Sequence, residues 1–220
     1  MKYRCVECGH KLERLYIQYS PGNIRLAKCP NCMSTADEYI ECELMILMID
    51  LILHKPKAYR HLLFNLLHHK ILEINPLLLI SSLIFFVLDA CKLWILNGNS
   101  QEWSILSLGI SIFGHAIVGN LVFLCSFFVF SKSLEFVEGL SSYKEILLAI
   151  LASCYLKVYM LAMLVWDFPS SAVYITDLFV MSSNLVALMV ITKSSFTRCV
   201  GVCIGAHALK FFVHWVLQDL

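Results

Sequence analysis

Four cysteines near the start of the chain have the type and spacing to hold a metal ion. "CVEC" carries Cys5 and Cys8, "CPNC" carries Cys29 and Cys32, and twenty residues separate the pairs. A CxxC turn sets two thiolates about one tetrahedral edge apart, and zinc takes four such soft ligands. The intervening "GHKLERLYIQYSPGNIRLAK" suits a zinc ribbon: "RLYIQY" and "NIRLAK" read as strands, and Ser20, Pro21 and Gly22 as the turn between them. Gly9 gives the first knuckle a backbone free to turn toward the sulfurs. A redox reading of the CxxC pairs would call for a βαβ pattern, which surrounds neither. Four thiolates leave no open position for water, so the expectation is one structural zinc ion, with His10 on the surface. A unit of about 40 residues is too small to fold on its own core, and the metal supplies what the core lacks.

A second group of residues is chemically conspicuous because of where it lies. Asp89, Lys92, Lys157, Asp177 and Lys210 interrupt strongly apolar runs, and Cys203, His207, Lys210 and His214 recur at helical spacing on one face of the last run. A charge at the centre of a membrane helix costs about 2.5–3.5 kcal/mol even on mild insertion scales, so such residues mark function or specific pairing. Two readings follow. The side chains line a polar cavity that takes a lipid headgroup or hydroxyl, or they fix helix packing, Asp89 with Lys92 and Asp177 with Lys157 or Lys210.

The elements that must position these groups are legible in the composition. The 220 residues are 59% hydrophobic and 15% charged, with mean hydropathy +0.74, against about 45–50% and about 25% in soluble domains. The polar residues gather before Asn75 and the apolar runs follow it, which predicts a mostly α, multi-span helical membrane protein with a small N-terminal zinc-ribbon β-hairpin domain. The expected domains are the ribbon at 1–40, an interfacial amphipathic helix and basic segment at 41–75, and a membrane domain at 76–220. Five apolar windows, 77–96, 105–130, 146–166, 172–192 and 200–217, approach or exceed the length that crosses hydrocarbon. The last is marginal and the fourth carries Asp177, so three or four spans are also compatible. Cys91, Cys125, Cys154, Cys199 and Cys203 lie in these windows and read as packing residues.

Loop charge sets the orientation. The first 76 residues hold ten Lys/Arg, "SKSLEFVEGLSSYKE" holds Lys132 and Lys144, and "KSSFTR" holds Lys193 and Arg198; "NGNSQEWS", "DFPSS" and "QDL" hold none. The alternation predicts a cytosolic N-terminus and a lumenal C-terminus across five spans. It also keeps the metal thiolates in a reducing compartment. Under this count the five membrane charges share the lumenal half of the bilayer. The N-terminus lacks the apolar run of a secretory signal. Net charge is +1, and residues 1–40 set six Lys/Arg against Glu7, Glu13, Asp37 and Glu38. That balance argues against nucleic acid as a partner.

Between ribbon and spans, Glu43 to His54 is apolar but too short to cross, and Glu41, Glu43 and Asp50 interrupt it. It reads as a helix along the membrane surface or packed on a neighbouring unit, followed by Lys55, Lys57, Arg60 and His61 at headgroup level. The knuckles "CVEC…CPNC", then "DEYIE", then "KAYRHLLFN" (Lys57 to Asn65) resemble the N-terminal homology region of the Arv family. These are endoplasmic-reticulum membrane proteins needed for sterol homeostasis and linked to early glycosylphosphatidylinositol synthesis. The resemblance covers roughly residues 3–65. It implies Cys5, Cys8, Cys29 and Cys32 as zinc ligands, a signature tail from Ala58 to Asn65, and a role in lipid distribution without a defined reaction. Tyr59, Arg60, His61 and Asn65 are the expected contacts for lipid or a partner.

Three function classes compete. A lipid-handling protein would bind sterol, sphingolipid or glycolipid intermediates. A scaffold would dock a lipid-synthesis enzyme through the ribbon. An enzyme would need a nucleophile elbow, a phosphate loop or an HExxH motif, and none occurs. His115 or His207 as an acyl-transfer base lacks a partner motif, so the expectation is a non-catalytic protein.

Overall fold

In the computed structural model the described residues are 3–20, 22–67, 74–97, 105–132, 140–166, 168–169 and 171–218. The chain divides into two compact units, Met1–Pro76 and Leu77–Leu220. The segments expected as a separate ribbon and interfacial stretch therefore belong to one unit.

The first unit begins with two small antiparallel hairpins. β1 (Tyr3–Arg4) pairs with β2 (Lys11–Leu12) and closes around the first knuckle. β3 (Tyr16–Ser20) pairs with β4 (Asn23–Leu26), with Tyr16 opposite Leu26 and an irregularity between Gln18 and Ser20. Gly22 sits at φ +83 in that turn, a conformation glycine adopts without a Cβ clash; Pro21 lies outside the described residues. A lone bridge from Lys28 to Thr35 flanks the second knuckle. The helical half follows: a 3₁₀ turn at Glu38–Ile40, α1 (Leu44–Ile52), α2 (Pro56–Arg60) and a π-helical stretch at His61–Leu67. Asp37 caps the 3₁₀ turn by accepting from the Tyr39 N–H at 3.1 Å. Pro56 at the first position of α2 loses no helical bond there.

α1 is amphipathic in an unusual sense. Leu47 and Leu51 are buried, whereas Leu44, Met45, Ile46, Met48, Ile49 and Leu53 stand exposed. The basic cluster that follows is neutralised inside the unit: Lys55 pairs with Asp50 at 2.7 Å and Lys57 with Glu7. The Lys55 ammonium, with the Tyr39 hydroxyl, holds the Asp50 carboxyl below its ordinary range. The side chains of Lys55 and Lys57 remain 52% and 40% exposed, so the basic segment stays at the surface of the unit.

The second unit is helical: α3 (Ile74–Asn97, entering from the first unit), α4 (Ile105–Ser131), α5 (Leu140–Ser153), α6 (Tyr159–Val165), α7 (Ser171–Thr192) and α8 (Phe196–Gln218). Four of these, over Leu78–Leu96, Gly109–Ser131, Ser171–Thr192 and Phe196–Leu217, are long and apolar enough to cross a membrane. The window expected at 146–166 is not one continuous helix. It breaks at a 3₁₀ segment, Cys154–Val158, between α5 and α6. Backbone freed at such a break is tolerated only where protein satisfies it, and the Ser183 hydroxyl donates to the Ser153 carbonyl at 2.8 Å.

α4 packs along α8, and α5 with the 3₁₀ segment packs on α7. Cys154, Cys199 and Cys203 are buried as expected of packing residues, but Cys125 is exposed on the face of α4. The α4–α8 seam depends on small residues. A Cβ at Gly205 would come 2.9 Å from the Phe130 ring, whereas one at Gly201 would meet nothing within 4 Å. Gly205→Ala is therefore expected to destabilise the bundle by about 1–3 kcal/mol through overpacking, and Gly201→Ala to stabilise it by up to about 1 kcal/mol through helix propensity. Thermal unfolding of the two purified variants checks this; equal melting temperatures would contradict the seam.

Candidate functional site

The four N-terminal cysteines converge. Their sulfurs all lie within 4.8 Å of one another, with Cys5 Sγ 3.7 Å from Cys32 Sγ and Cys8 Sγ 3.6 Å from Cys29 Sγ. Metal–sulfur bonds of about 2.3 Å give tetrahedral edges of about 3.8 Å, so the donor set fits one tetrahedral ion. The two knuckles are built alike. The N–H of the residue after each second cysteine, Gly9 and Met33, donates to the carbonyl of the first, Cys5 and Cys29, at 2.9 Å in both. The Cys5 and Cys29 N–H groups donate to the carbonyls of His10 and Ser34. Both turns need a left-handed residue, at φ 72 for Gly9 and φ 60 for Met33. Glycine accepts that conformation freely; a methionine there is uncommon and is held by the turn.

Burial pushes the Cys5 thiol up to about 12. At Cys8 burial acts in the same direction, but hydrogen bonds from the His10 backbone, Asn31 and the neighbouring thiols outweigh it and bring the thiol down to about 6. The two sulfurs thus differ in how readily they ionise, and a bound metal displaces to solvent the thiol protons that remain.

The expected lipid or partner contacts have a different place. Tyr59, His61 and Asn65 are buried, and all of Tyr59, Arg60, His61 and Asn65 are spent on the metal unit. Arg60 Nη1 donates to the carbonyls of Val6 at 2.7 Å and Glu7 at 2.6 Å, both inside the CVEC knuckle. Asn65 brackets β1: its Oδ1 accepts from the Arg4 N–H and its Nδ2 donates to the Arg4 carbonyl, each at 2.9 Å. The same Nδ2 donates to Asp37 Oδ2 at 2.6 Å, and His61 Nδ1 meets that oxygen at 2.7 Å. Tyr59 donates to the Leu51 carbonyl at 3.3 Å. Asp37, fully buried, is thus the hub between the "DEYIE" and "AYRHLLFN" motifs, and sequence reasoning did not single it out. Its one local signal was a capping position before a short helical turn.

Arg60→Ala is expected to loosen the metal. Two charge-assisted bonds to the knuckle would be lost, each worth about 1.5–3 kcal/mol, enough for at least a tenfold faster loss of metal to a chelator. A chelation time course on the purified protein measures it, and an unchanged rate would show that the knuckle stands without Arg60.

In the membrane unit the sequence-flagged charges meet across helices. Asp89 (α3) accepts from Lys157 of the 3₁₀ segment at 2.6 Å and from Lys210 (α8). Lys210 also donates to Asn120 Oδ1 (α4) at 2.7 Å. Lys92 (α3) pairs with Asp177 (α7). The expected partnerships, Asp89 with Lys92 and Asp177 with Lys157 or Lys210, are therefore exchanged. Adjacent positions on one helix lost to partners that converge from others. Asp89 is buried in direct contact with Lys157 and Lys210, which are themselves buried. The expected face of α8 does turn inward: His207 Nε2 lies 3.3 Å from Asn184 Nδ2 and its ring stands edge-on to Phe123. Cys203 is buried, and His214 lies against Gly119. Asn120 and Asn184 are parts of the network that residue type alone did not reveal.

The two units define a multi-pass helical membrane protein with an N-terminal four-thiolate unit able to hold a metal ion. The family model described as "Arv1-like family" matches residues 4–188, and the chain belongs to that family. It is 45% identical over 223 residues to "Protein ARV 2" of Arabidopsis thaliana, covering 100% of this chain and 96% of that protein. It is 28% identical over 214 residues to "Protein ARV1" of Homo sapiens, covering 86% of this chain and 72% of that protein. With "Protein ARV1" of Saccharomyces cerevisiae it shares 46% identity over 63 residues, 29% of this chain and 20% of that protein. No solved structure matches the chain.

Proposed function

We propose that the protein is a non-catalytic mediator of sterol homeostasis and lipid distribution at the endoplasmic reticulum, and that its membrane unit handles lipid directly. The observation that carries this reading is the buried ion network. Five charged side chains from α3, α7, α8 and the 3₁₀ segment are drawn to one level of a bundle otherwise made of apolar helices. Grouping them is costly unless the site is used or strictly needed for packing. Sterols, sphingolipids and glycolipid intermediates are the ligands proposed. The metal is zinc, on the chemistry of four thiolates, and it is structural because all four positions are filled by protein. Loop charge supports a cytosolic N-terminus; a lumenal C-terminus follows if the broken α5–α6 segment crosses as the fifth span.

The exposed apolar face of α1 is the unit's lipid-facing surface. Five large apolar side chains on one short helix and Leu53 at its C-cap, in a chain tethered by spanning helices, suit insertion into the headgroup region. The same face also supports a second reading, a scaffold for a lipid-synthesis enzyme. Photocrosslinking in native membranes with one sterol probe and one glycolipid-intermediate probe separates them. Labelled peptides containing Asp89, Asp177 or Lys210 are the expected result. Unlabelled spans, with an enzyme crosslinked at residues 44–53, would replace lipid handling with scaffolding.

A further inference from the structure

The ion network has an imbalance. Asp89 is the single carboxylate shared by Lys157 and Lys210, while Asp177 is engaged by Lys92. Among the described residues the inner cluster therefore carries one more positive than negative charge. Its members are 2% exposed at Asp89, 4% at Lys157 and 8% at Lys210. Hydrogen-bond capacity is unbalanced in the same direction. An ammonium has three N–H donors and an amide nitrogen two, against the two oxygens of Asp89 and the one of Asn120. Asn120 is fully buried, and among the described residues its Nδ2 has no acceptor. Part of the surplus is spread over aromatic rings, with Lys157 Nζ 3.9 Å from the centroid of Phe85 and Lys210 Nζ 5.6 Å from that of Phe123. What the site lacks is an acceptor bearing negative charge.

We infer that this cluster is a binding site for the phosphate group of an anionic amphiphile, held by Lys210, Lys157 and the Asn120 amide. This rests on the reading that the membrane unit handles lipid, and it names the headgroup chemistry. Phosphate supplies several acceptor oxygens and the missing charge, and two ammonium groups with an amide N–H match it. The approach is by the Lys92–Asp177 pair. Lys92 lies about one turn along α3 from Asp89, and the side chains of the pair are 16% and 32% exposed, a partly accessible edge beside the cluster. A sterol hydroxyl would satisfy Asn120 but leave the charge uncompensated.

The test is thermal unfolding of the full-length protein in a neutral detergent. The probes are dihexanoyl phosphatidic acid, inorganic phosphate, and a dihexanoyl glycerol that lacks phosphate. The expected result is a rise of about 5 °C or more with phosphatidic acid at a hundredfold excess over its dissociation constant, and none with the glycerol. An equal rise with inorganic phosphate alone would assign the same site to the free anion. Lys210→Met, which removes the surplus charge, should abolish the rise. Asn120→Asp builds the missing charge into the protein; it should raise the melting temperature without ligand and also abolish the response. Asn120→Asp keeps the test decisive should Lys210→Met fail to accumulate. No rise with either phosphate probe, or a rise undiminished in Asn120→Asp, would overturn the site. If the spans were still photolabelled by the sterol probe, lipid handling would stand and only the phosphate assignment would fall. If no lipid labelled them, the underlying reading would fall as well.

Discussion

Cys29→Ser is expected to unfold the N-terminal unit and leave the membrane helices inserted. The hairpin half of that unit has a core of Cys5, Leu12, Leu15, Cys29 and Ala36, so two of its five buried members are metal ligands. Burying a leucine contributes about 1.5–3 kcal/mol, whereas ordering each residue costs about 1–2 kcal/mol in backbone entropy. Two leucines do not order some thirty residues. Metal binding to four thiolates contributes about 10–16 kcal/mol of apparent free energy in small zinc domains, which is the missing quantity. The helical half follows the hairpins, because Arg60 and Asn65 bond to the first knuckle and to β1. Limited proteolysis should therefore cut Cys29→Ser freely across residues 3–67 while fragments from residue 77 onward stay protected. A strong chelator should reproduce the pattern in the unaltered protein. Full protection of residues 3–67 in the variant would show that the unit folds without its metal.

The second large effect is expected at Asp89. Asp89→Asn leaves two ammonium groups buried with no counter-charge, and breaking a buried ion pair from one side costs about 3–5 kcal/mol. The neighbouring substitutions provide the contrast. Lys210→Met leaves Asp89 paired with Lys157. Lys92→Met strands one carboxylate, Asp177, whose side chain is 32% exposed, whereas Asp89→Asn strands two buried ammonium groups. The ordering of melting temperatures, Asp89→Asn far below the other two, is the readout. Equal losses in all three would mean that the charges pack as independent pairs rather than around one carboxylate.

The parts of the structure legible in the sequence are those with local signals. The CxxC spacing and "YIQYSPGN" carry the knuckles and the hairpin between them. Long apolar runs carry four of the helices. The helix break at Cys154–Val158 had no such signal, since "SCYLKVYM" contains neither glycine nor proline; tertiary bonding of Lys157 to Asp89 and of Ser183 to the Ser153 carbonyl accompanies it. Met33 takes the left-handed turn that only Gly9 announced. The signature tail was visible as a motif but not in its role. Its polar residues look exposed by type, and their partners, Val6, Glu7, Arg4 and Asp37, lie 24 to 61 positions away. Pairing of the membrane charges failed for the same reason. Spacing on one helix ranks Asp89 with Lys92, and only the packing of α3 against its neighbours reverses the order.

The bond between Arg4 and Asn65 also sets a clock. Asn65 is joined to the chain 33 residues after Cys32, the last of the four thiolates. At about 5–20 residues per second that lag is about 2–7 s. Until it has passed, the four thiolates exist but the knuckle is not yet secured from behind. The residues that secure it are translated just ahead of α3, the first long apolar helix. Sealing of the metal and delivery of the nascent chain to the membrane therefore fall in the same short window of synthesis, and a chain that misses its ion reaches the membrane with its leading unit unfolded.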